Sequence, residues 1–260
     1  MTLPAVPDAF SWTDESWGPA LRCRALDPIA PHLFTTRTLQ LSDPGDWARA
    51  AAAVGASSSV GLTQVHGNAV VVVKRGDPPP VDRPEADILI SDDPTRAIIV
   101  RAADCVPLLM ADRASGAVAA VHAGWRGTAA SAARAALHAL QDHFGVHPAN
   151  VVAAIGPSIA PCCYEVGTEL VDAFAAAGHE RYLIDRWFIA RPPRRGSRER
   201  PKLRLDVAGA NRDQLILAGV PEAQIHMAGL CTAMNLDVLT SFRVEKEKAG
   251  RLAGVIRATG

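Results

Sequence analysis

The stretch VPLLMADRASGAVAAVHAGWRGTAASAARAALHALQDHF, residues 106–144, decides the fold class. It holds two short apolar runs, Val106 to Met110 and Ala117 to Val121, each too short for a helix and apolar throughout. A run without polar alternation is what a strand needs when its sheet is covered on both faces. Beyond His122-Ala123-Gly124-Trp125-Arg126-Gly127 the period changes. Ala133, Ala136, Leu137, Leu140 and Phe144 fall on one helical stripe, so a helix is expected from Thr128, as its cap, through Phe144, with Gly145 as the stop. Strand, strand and helix in direct succession predict a layered α/β core.

Outward from this stretch the same signals recur. Gly61 to Val65, Ala69 to Val73, Asp87 to Ile90 and Ala97 to Arg101 read as further strands, and Leu252 to Arg257 as a closing one. Helices are expected over Thr168–Ala177 and Asp206–Leu217. Together these predict an α/β (α+β) layered sandwich of mixed sheets flanked by helices. With no internal repeat and no clear linker, residues 1–260 read as a single domain. Residues 1–18 carry no decisive pattern and are expected to be irregular. Residues 191–202, RPPRRGSRERPK, combine six basic residues, one acid and three prolines, which predicts an exposed basic loop. It lacks the interleaved aromatics that stack bases.

Composition narrows the function. The chain has 260 residues with 27 basic and 27 acidic side chains, a formal net charge of zero. That balance argues against wrapping nucleic acid or lying on an anionic membrane, and favours a small-molecule partner. The first basic residue is Arg22, after Asp8, Asp14 and Glu15, which is not the start of a secretory signal. Arg101, Asp104 and Asp112 interrupt the most apolar region, so no membrane span is expected. Cys23, Cys105, Cys162, Cys163 and Cys231 form an odd, scattered set suited to free thiols in a reducing cytoplasm.

Three motifs carry chemistry. Gln64-Val65-His66-Gly67 puts a histidine where a strand gives way to a Gly-Asn turn; Ala103-Asp104-Cys105 lies between two apolar strands; His122 ends a strand just before the Ala-rich helix. Each has a plain structural alternative: a hydrogen-bonding turn histidine, an inert buried thiol, a tight strand-to-helix turn. Read together, His66, Cys105 and His122 offer two imidazoles and one thiolate from separate loops, which suits Zn2+ with a fourth position open for water or substrate. Backbone amides and Arg126 at the following helix start suit an anion. The adjacent Cys162 and Cys163 rival these as ligands, yet neighbouring side chains seldom converge on one small ion. They read as structural thiols in a turn.

These motifs, with Ile155-Gly156-Pro157-Ser158-Ile159-Ala160-Pro161-Cys162-Cys163-Tyr164-Glu165-Val166-Gly167 and a tail of Cys231-Thr232, Asn235, Ser241-Phe242-Arg243 and Gly250-Arg251, resemble the YfiH-like family, also described as laccase-domain or multicopper polyphenol oxidase and as peptidoglycan editing factor. The resemblance runs over roughly residues 30 to 257. It implies a fold similar to the catalytic domain of cytotoxic necrotizing factor and a zinc site at His66, Cys105 and His122. It also implies phosphorolysis of adenosine, inosine and methylthioadenosine, with adenosine deamination, so that the partners are a purine nucleoside and phosphate. The chain departs from the family pattern at Thr36-Arg37-Thr38-Leu39-Gln40-Leu41, where a Gly-Gly-Val-Ser-like stretch is usual, at Ser158 in place of a Cys, and at Phe242 in place of a Tyr.

On this reading Cys105 serves both metal and catalysis, and Asp104 transfers protons, orients a ligand, or is a structural carboxylate bonded to backbone amides. Arg37, Gln64 and Arg126 are expected to contact substrate or phosphate. Two rivals remain. A copper polyphenol oxidase needs many imidazoles, commonly in His-x-His pairs, and eight histidines here include no such pair, although soft ligands still allow one copper. A noncatalytic zinc protein of peptidoglycan maintenance is the other. Neither the preferred nucleoside nor the oligomeric state follows from sequence.

Overall fold

The computed structural model describes residues 2–78, 82–191 and 202–259. In chain order the first half contains strands β1 (Phe10–Glu15), β2 (Gly18–Cys23) and β3 (His32–Phe34), helix α1 (Pro44–Ala53), and strands β4 (Ser58–Val60), β5 (Val70–Val73), β6 (Ile88–Ser91), β7 (Arg96–Ala102), β8 (Val106–Asp112) and β9 (Val118–Ala123). The second half contains α2 (Trp125–Ala129), α3 (Ala132–Phe144), β10 (Val151–Ile155), β11 (Glu165–Val166), α4 (Glu169–Ala176), α5 (Arg181–Trp187), β12 (Phe188–Arg191), β13 (Lys202–Leu205), α6 (Val207–Leu217), β14 (Ile225–Met227), α7 (Phe242–Glu245) and β15 (Leu252–Arg257).

Two six-stranded sheets carry the fold, one ordered β1-β2-β3-β15-β7-β4 and the other β14-β10-β8-β9-β6-β5, beside a small sheet β11-β13-β12. Both large sheets mix parallel and antiparallel pairs. The all-apolar run of β8 has the expected cause, because every residue of that strand is buried. Leu109 and Ala111 face the first sheet, packing with Phe34, Ile98, Val100 and Ile256, while Leu108 and Met110 point the other way, toward Ala133, Leu137 and Leu140 of α3. This period-2 split makes one strand serve two cores. The outer face of the first sheet is covered by α1, through Trp47, Ala50 and Ala51. The layers therefore run α1, sheet, sheet, α3 with α6, the expected sandwich.

Several local expectations need correction. Residues 1–18 are not irregular throughout: Phe10–Glu15 pairs with Gly18–Cys23, anchored by Phe10, which is 2% exposed. Gly61–Val65 is not a strand but follows one, since its backbone is satisfied elsewhere: Thr63 donates to Pro84 and Val65 to the Asp87 carboxylate. The helix expected over 128–144 is two helices, broken at Ser131, whose φ is 59°. Thr128 is no cap; it is buried inside α2 and its hydroxyl accepts from Asn211 Nδ2. The ends of the basic segment 191–202 are strand residues, with Arg191 opposite Lys202 in the β12–β13 hairpin, while 192–201 lie outside the described residues. The helices at α4, at α6 with its Asp206 cap, and the closing strand β15 stand as expected.

Candidate active site

Register brings the metal-ligand candidates together. In the β8–β9 pair Val106 lies opposite Ala123 and Pro107 opposite His122, so Cys105, one residue before β8, emerges beside the end of β9. In the β6–β9 pair Ile88 lies opposite Val121, which places Asp87 next to His122. Strand β5 runs parallel to β6, so the loop before it, carrying His66, reaches the same sheet end. The ligand atoms of His66, Cys105 and His122 all lie within 4.8 Å of one another. The two imidazole rings meet edge-on at 4.9 Å. His66 is exposed at the mouth, Cys105 is half-buried, and His122 is buried.

Asp87, which the motif reading passed over, organises two of the three. Its Oδ1 lies 2.7 Å from His122 Nδ1 and accepts from the His66 backbone N–H at 3.0 Å; its Oδ2 accepts from the backbone N–H groups of Val65 and Gly67. Asp87 is wholly buried, and although burial works to raise its pKa, the bonds to His122, Gly67 and His66 hold it below the usual carboxylate range. A carboxylate on Nδ1 leaves Nε2 of His122 as the ligand-bearing nitrogen, the support that metal-bound histidines generally have. The only sequence hint was an acid at the start of an apolar strand.

The donor set fits zinc. Burial opposes the Cys105 thiolate, yet His122 and His66 outweigh it and pull the thiol down to about 6; His122, despite its own burial, is pushed up to about 9 by Asp87 and Cys105. The thiolate is the ligand state of Cys105 that a divalent borderline-soft ion requires, and His122 would give up its extra proton as such an ion binds. Space agrees: a Cβ on Gly124 would lie 2.8 Å from Cys105 Sγ and 3.1 Å from His66 Cδ2. Two residues of the site are held at positive φ, His66 at 64° and Asp104 at 85°, each conformation costing roughly 1–3 kcal/mol.

The trio opens into a cavity of about 610 Å³ whose lining includes five cations, Arg83, Arg101, Arg243, Lys246 and Arg251, against a single carboxylate, Asp104. Arg101 is pulled below the usual guanidinium range by burial and by Arg83 and Arg251, and among the described residues its buried Nε has no partner. Tyr164 and Phe242 supply aromatic faces.

The remaining site candidates divide. Gln64 lines the cavity, but its amide is occupied on the Arg101 backbone, donating to the carbonyl at 2.7 Å and accepting from the N–H at 2.8 Å. Both Asp104 oxygens are engaged, one by Thr232 Oγ1 and the other by the Arg243 backbone N–H, each at 2.6 Å. These bonds, one of them from a backbone amide, tie the 232 and 243 segments to the loop that carries Cys105. Arg37 and Arg126 do not line the cavity. Arg37 is consumed by an ion pair with Glu245 at 3.1 Å and a bond to the Leu236 carbonyl, and Arg126 lies exposed with its guanidinium 4.4 Å over the Trp125 ring. Of the cations that do face the cavity, Arg83 precedes β6 and Arg101 lies in β7, while Arg243, Lys246 and Arg251 come from the tail.

Among known proteins, a purine nucleoside phosphorylase of Bacteroides thetaiotaomicron is 39% identical over 65% of this chain, although the match spans only 60% of that protein. One of Deinococcus radiodurans is 34% identical over 90% of this chain and 91% of its own length. Adenosine deaminase RL5, from an unknown prokaryotic organism, is 39% identical over 51% of this chain and 47% of its own. The crystal structure of YlmD from Geobacillus stearothermophilus superposes with a TM-score of 0.79 at 28% identity, covering 98% of this chain and all of that one. The family model described as multi-copper polyphenol oxidoreductase laccase matches residues 45–259, and the chain belongs to that YfiH-like family.

Proposed function

We propose that the protein is a zinc-dependent purine nucleoside phosphorylase acting on adenosine, inosine and methylthioadenosine, with adenosine deaminase activity, and that it works in the cytoplasm. The observation that carries the reading is a His-Cys-His ligand set opening into a cavity with five cations and one carboxylate. An anionic co-substrate is the partner such a lining lacks. The names of the relatives supply the substrate class, and five free thiols favour a reducing compartment.

His66, Cys105 and His122 would hold the ion, which would supply a Lewis acid toward a phosphate or water oxygen. Arg101, with its unpartnered Nε, and the neighbouring Arg83 and Arg251 hold phosphate. Phosphorolysis joins a phosphate oxygen to the sugar C1′ as the C1′–N bond breaks, and the electron pair leaves on the purine, which must gain a proton. Tyr164 is pushed up to about 12, by burial first and then by Cys105, so it remains a neutral phenol that donates a hydrogen bond toward the base. Asp104 acts as a positioning residue, because Thr232 and Arg243 already occupy its oxygens.

The test is release of free purine from adenosine, inosine and methylthioadenosine by zinc-loaded protein with and without phosphate, followed by chromatography. Phosphate-dependent base release is expected, strongly reduced in Cys105→Ala. Arg101→Gln should raise the KM for phosphate at least tenfold, about 1.4 kcal/mol, with zinc content unchanged. Arg126→Ala should leave it unaltered. No purine release from any of the three, with abundant phosphate, would overturn the phosphorylase reading and restore the noncatalytic one. A copper polyphenol oxidase remains the second reading because the family description carries that activity. Against it, the described residues contain one histidine-bearing ligand cluster, whereas multicopper chemistry needs several.

A further inference from the structure

Folding brings a third cysteine to the adjacent pair. Cys162 and Cys163 lie in the turn after Pro161, their sulfurs 3.5 Å apart, and the sulfur of Cys231 joins them, all three within 4.8 Å of one another. Neighbouring side chains thus do converge here. The cluster is built by an isolated bridge between Ser158 and Cys231, with Ser158 donating to the Leu230 carbonyl and Thr232 to that of Ser158. The backbone N–H of Ala160 donates to Cys231 Sγ at 3.4 Å.

We propose that Cys162, Cys163 and Cys231 form a second metal site, separate from His66, Cys105 and His122, that takes the monovalent soft cation Cu(I). With metal–sulfur bonds of about 2.3 Å, three sulfurs in a trigonal set stand about 4 Å apart. The observed spacing brackets that value and far exceeds the about 2.05 Å of a disulfide. Among the described residues no histidine or carboxylate completes the cluster, so it lacks the fourth ligand of a closed zinc site and offers the all-thiolate environment that selects Cu(I). Each ligating thiol gives up its proton to solvent as the ion binds. Cys162 is exposed and provides entry, while Cys231 is buried and closes the far side.

A counter-charge is in place. Arg204 donates from Nη1 to the carbonyls of Pro161 and Cys162, and among the described residues its buried Nε has no partner. Its positive charge, which also faces Glu165 at 4.0 Å, offsets part of the excess of three thiolates over one monovalent ion. The site also touches the first one indirectly, since Thr232, next to Cys231, donates to Asp104, next to Cys105.

Anaerobic titration of the zinc-loaded full chain with Cu(I), against a chromophoric Cu(I) chelator, tests this. One equivalent should bind without releasing zinc, with a sulfur-only first shell by X-ray absorption. Cys162→Ser with Cys163→Ser should lose that equivalent and keep its zinc and its circular dichroism. Cys162→Ser alone, at an exposed position, should weaken Cu(I) binding at least tenfold and guards against a misfolded double variant. Cu(I) uptake that displaces zinc one for one, or that persists undiminished in the cysteine variants, would overturn the proposal. The readout is independent of nucleoside turnover. Should the zinc reading itself fail, the same titration on Cys105→Ala still isolates the three-thiol site.

Discussion

At the residue scale the centre depends on Asp87 as much as on the ligands. One buried carboxylate fixes the His122 ring and, through three backbone N–H groups, the conformation of the His66 loop. Asp87→Asn preserves shape but removes the negative charge that favours Nδ1–H on His122. Zinc affinity, measured by competition with a chelator, should fall about 10–100-fold. Circular dichroism should be nearly unchanged. The ligand types were readable in the motifs around His66, Cys105 and His122, because imidazole and thiolate chemistry belongs to the residue. Asp87 was not, because its role exists only where β6 lies beside β9.

At the scale of elements, the break between α2 and α3 is the clearest departure from periodicity. Ser131 sits at φ 59° and ψ 43°, and its side chain makes no capping bond. A side chain in the left-handed region costs energy that glycine avoids. Ser131→Gly should therefore stabilise the protein by up to about 1 kcal/mol, read as a higher urea midpoint at unchanged slope. The apolar stripe does not reveal the break, because Ala132 onward continues on the same face while Thr128 turns inward to Asn211.

The Arg37–Glu245 pair ties the early loop to α7. Burial works to raise the Glu245 pKa, but bonds from Thr240 and Ser241 and the charge of Arg37 prevail and hold it below its ordinary value. A carboxylate with a depressed folded pKa stabilises above the unfolded value, about 4.3, and that stability is lost as pH falls through the folded one. Arg37→Gln should thus be less stable than wild type at neutral pH. The gap should shrink in urea titrations below about pH 4.

At the scale of the molecule, the packing of the two large sheets brings Arg101 on β7 to the ligand loops of the other sheet. A Cβ on Gly254 of β15 would come within 3.2 Å of Leu109 Cδ2 on β8, so the sheets pack with no spare volume there. Leu109→Ala should leave a cavity between them and cost about 2–5 kcal/mol by denaturant unfolding. Zinc binding should persist in the folded fraction, because the ligands stand at the strand ends and not between the sheets. Among the described residues no helix is long and apolar enough to cross a membrane.

The layered α/β class, most central strands, the helices at α4 and α6, and the residue types able to hold a metal are legible in the amino-acid pattern alone. Period and propensity are local quantities, and β8, β9 and α3 express them because both faces of their sheet are covered. Only the tertiary structure decided that Asp87 supports His122, that Arg101 and Arg243 face the cavity while Arg37 and Arg126 do not, and that Cys231 meets Cys162 and Cys163. Those pairings join segments far apart in the chain. Strand register and the course of the loops set them, because which side chains share a cavity depends on which strand ends lie side by side.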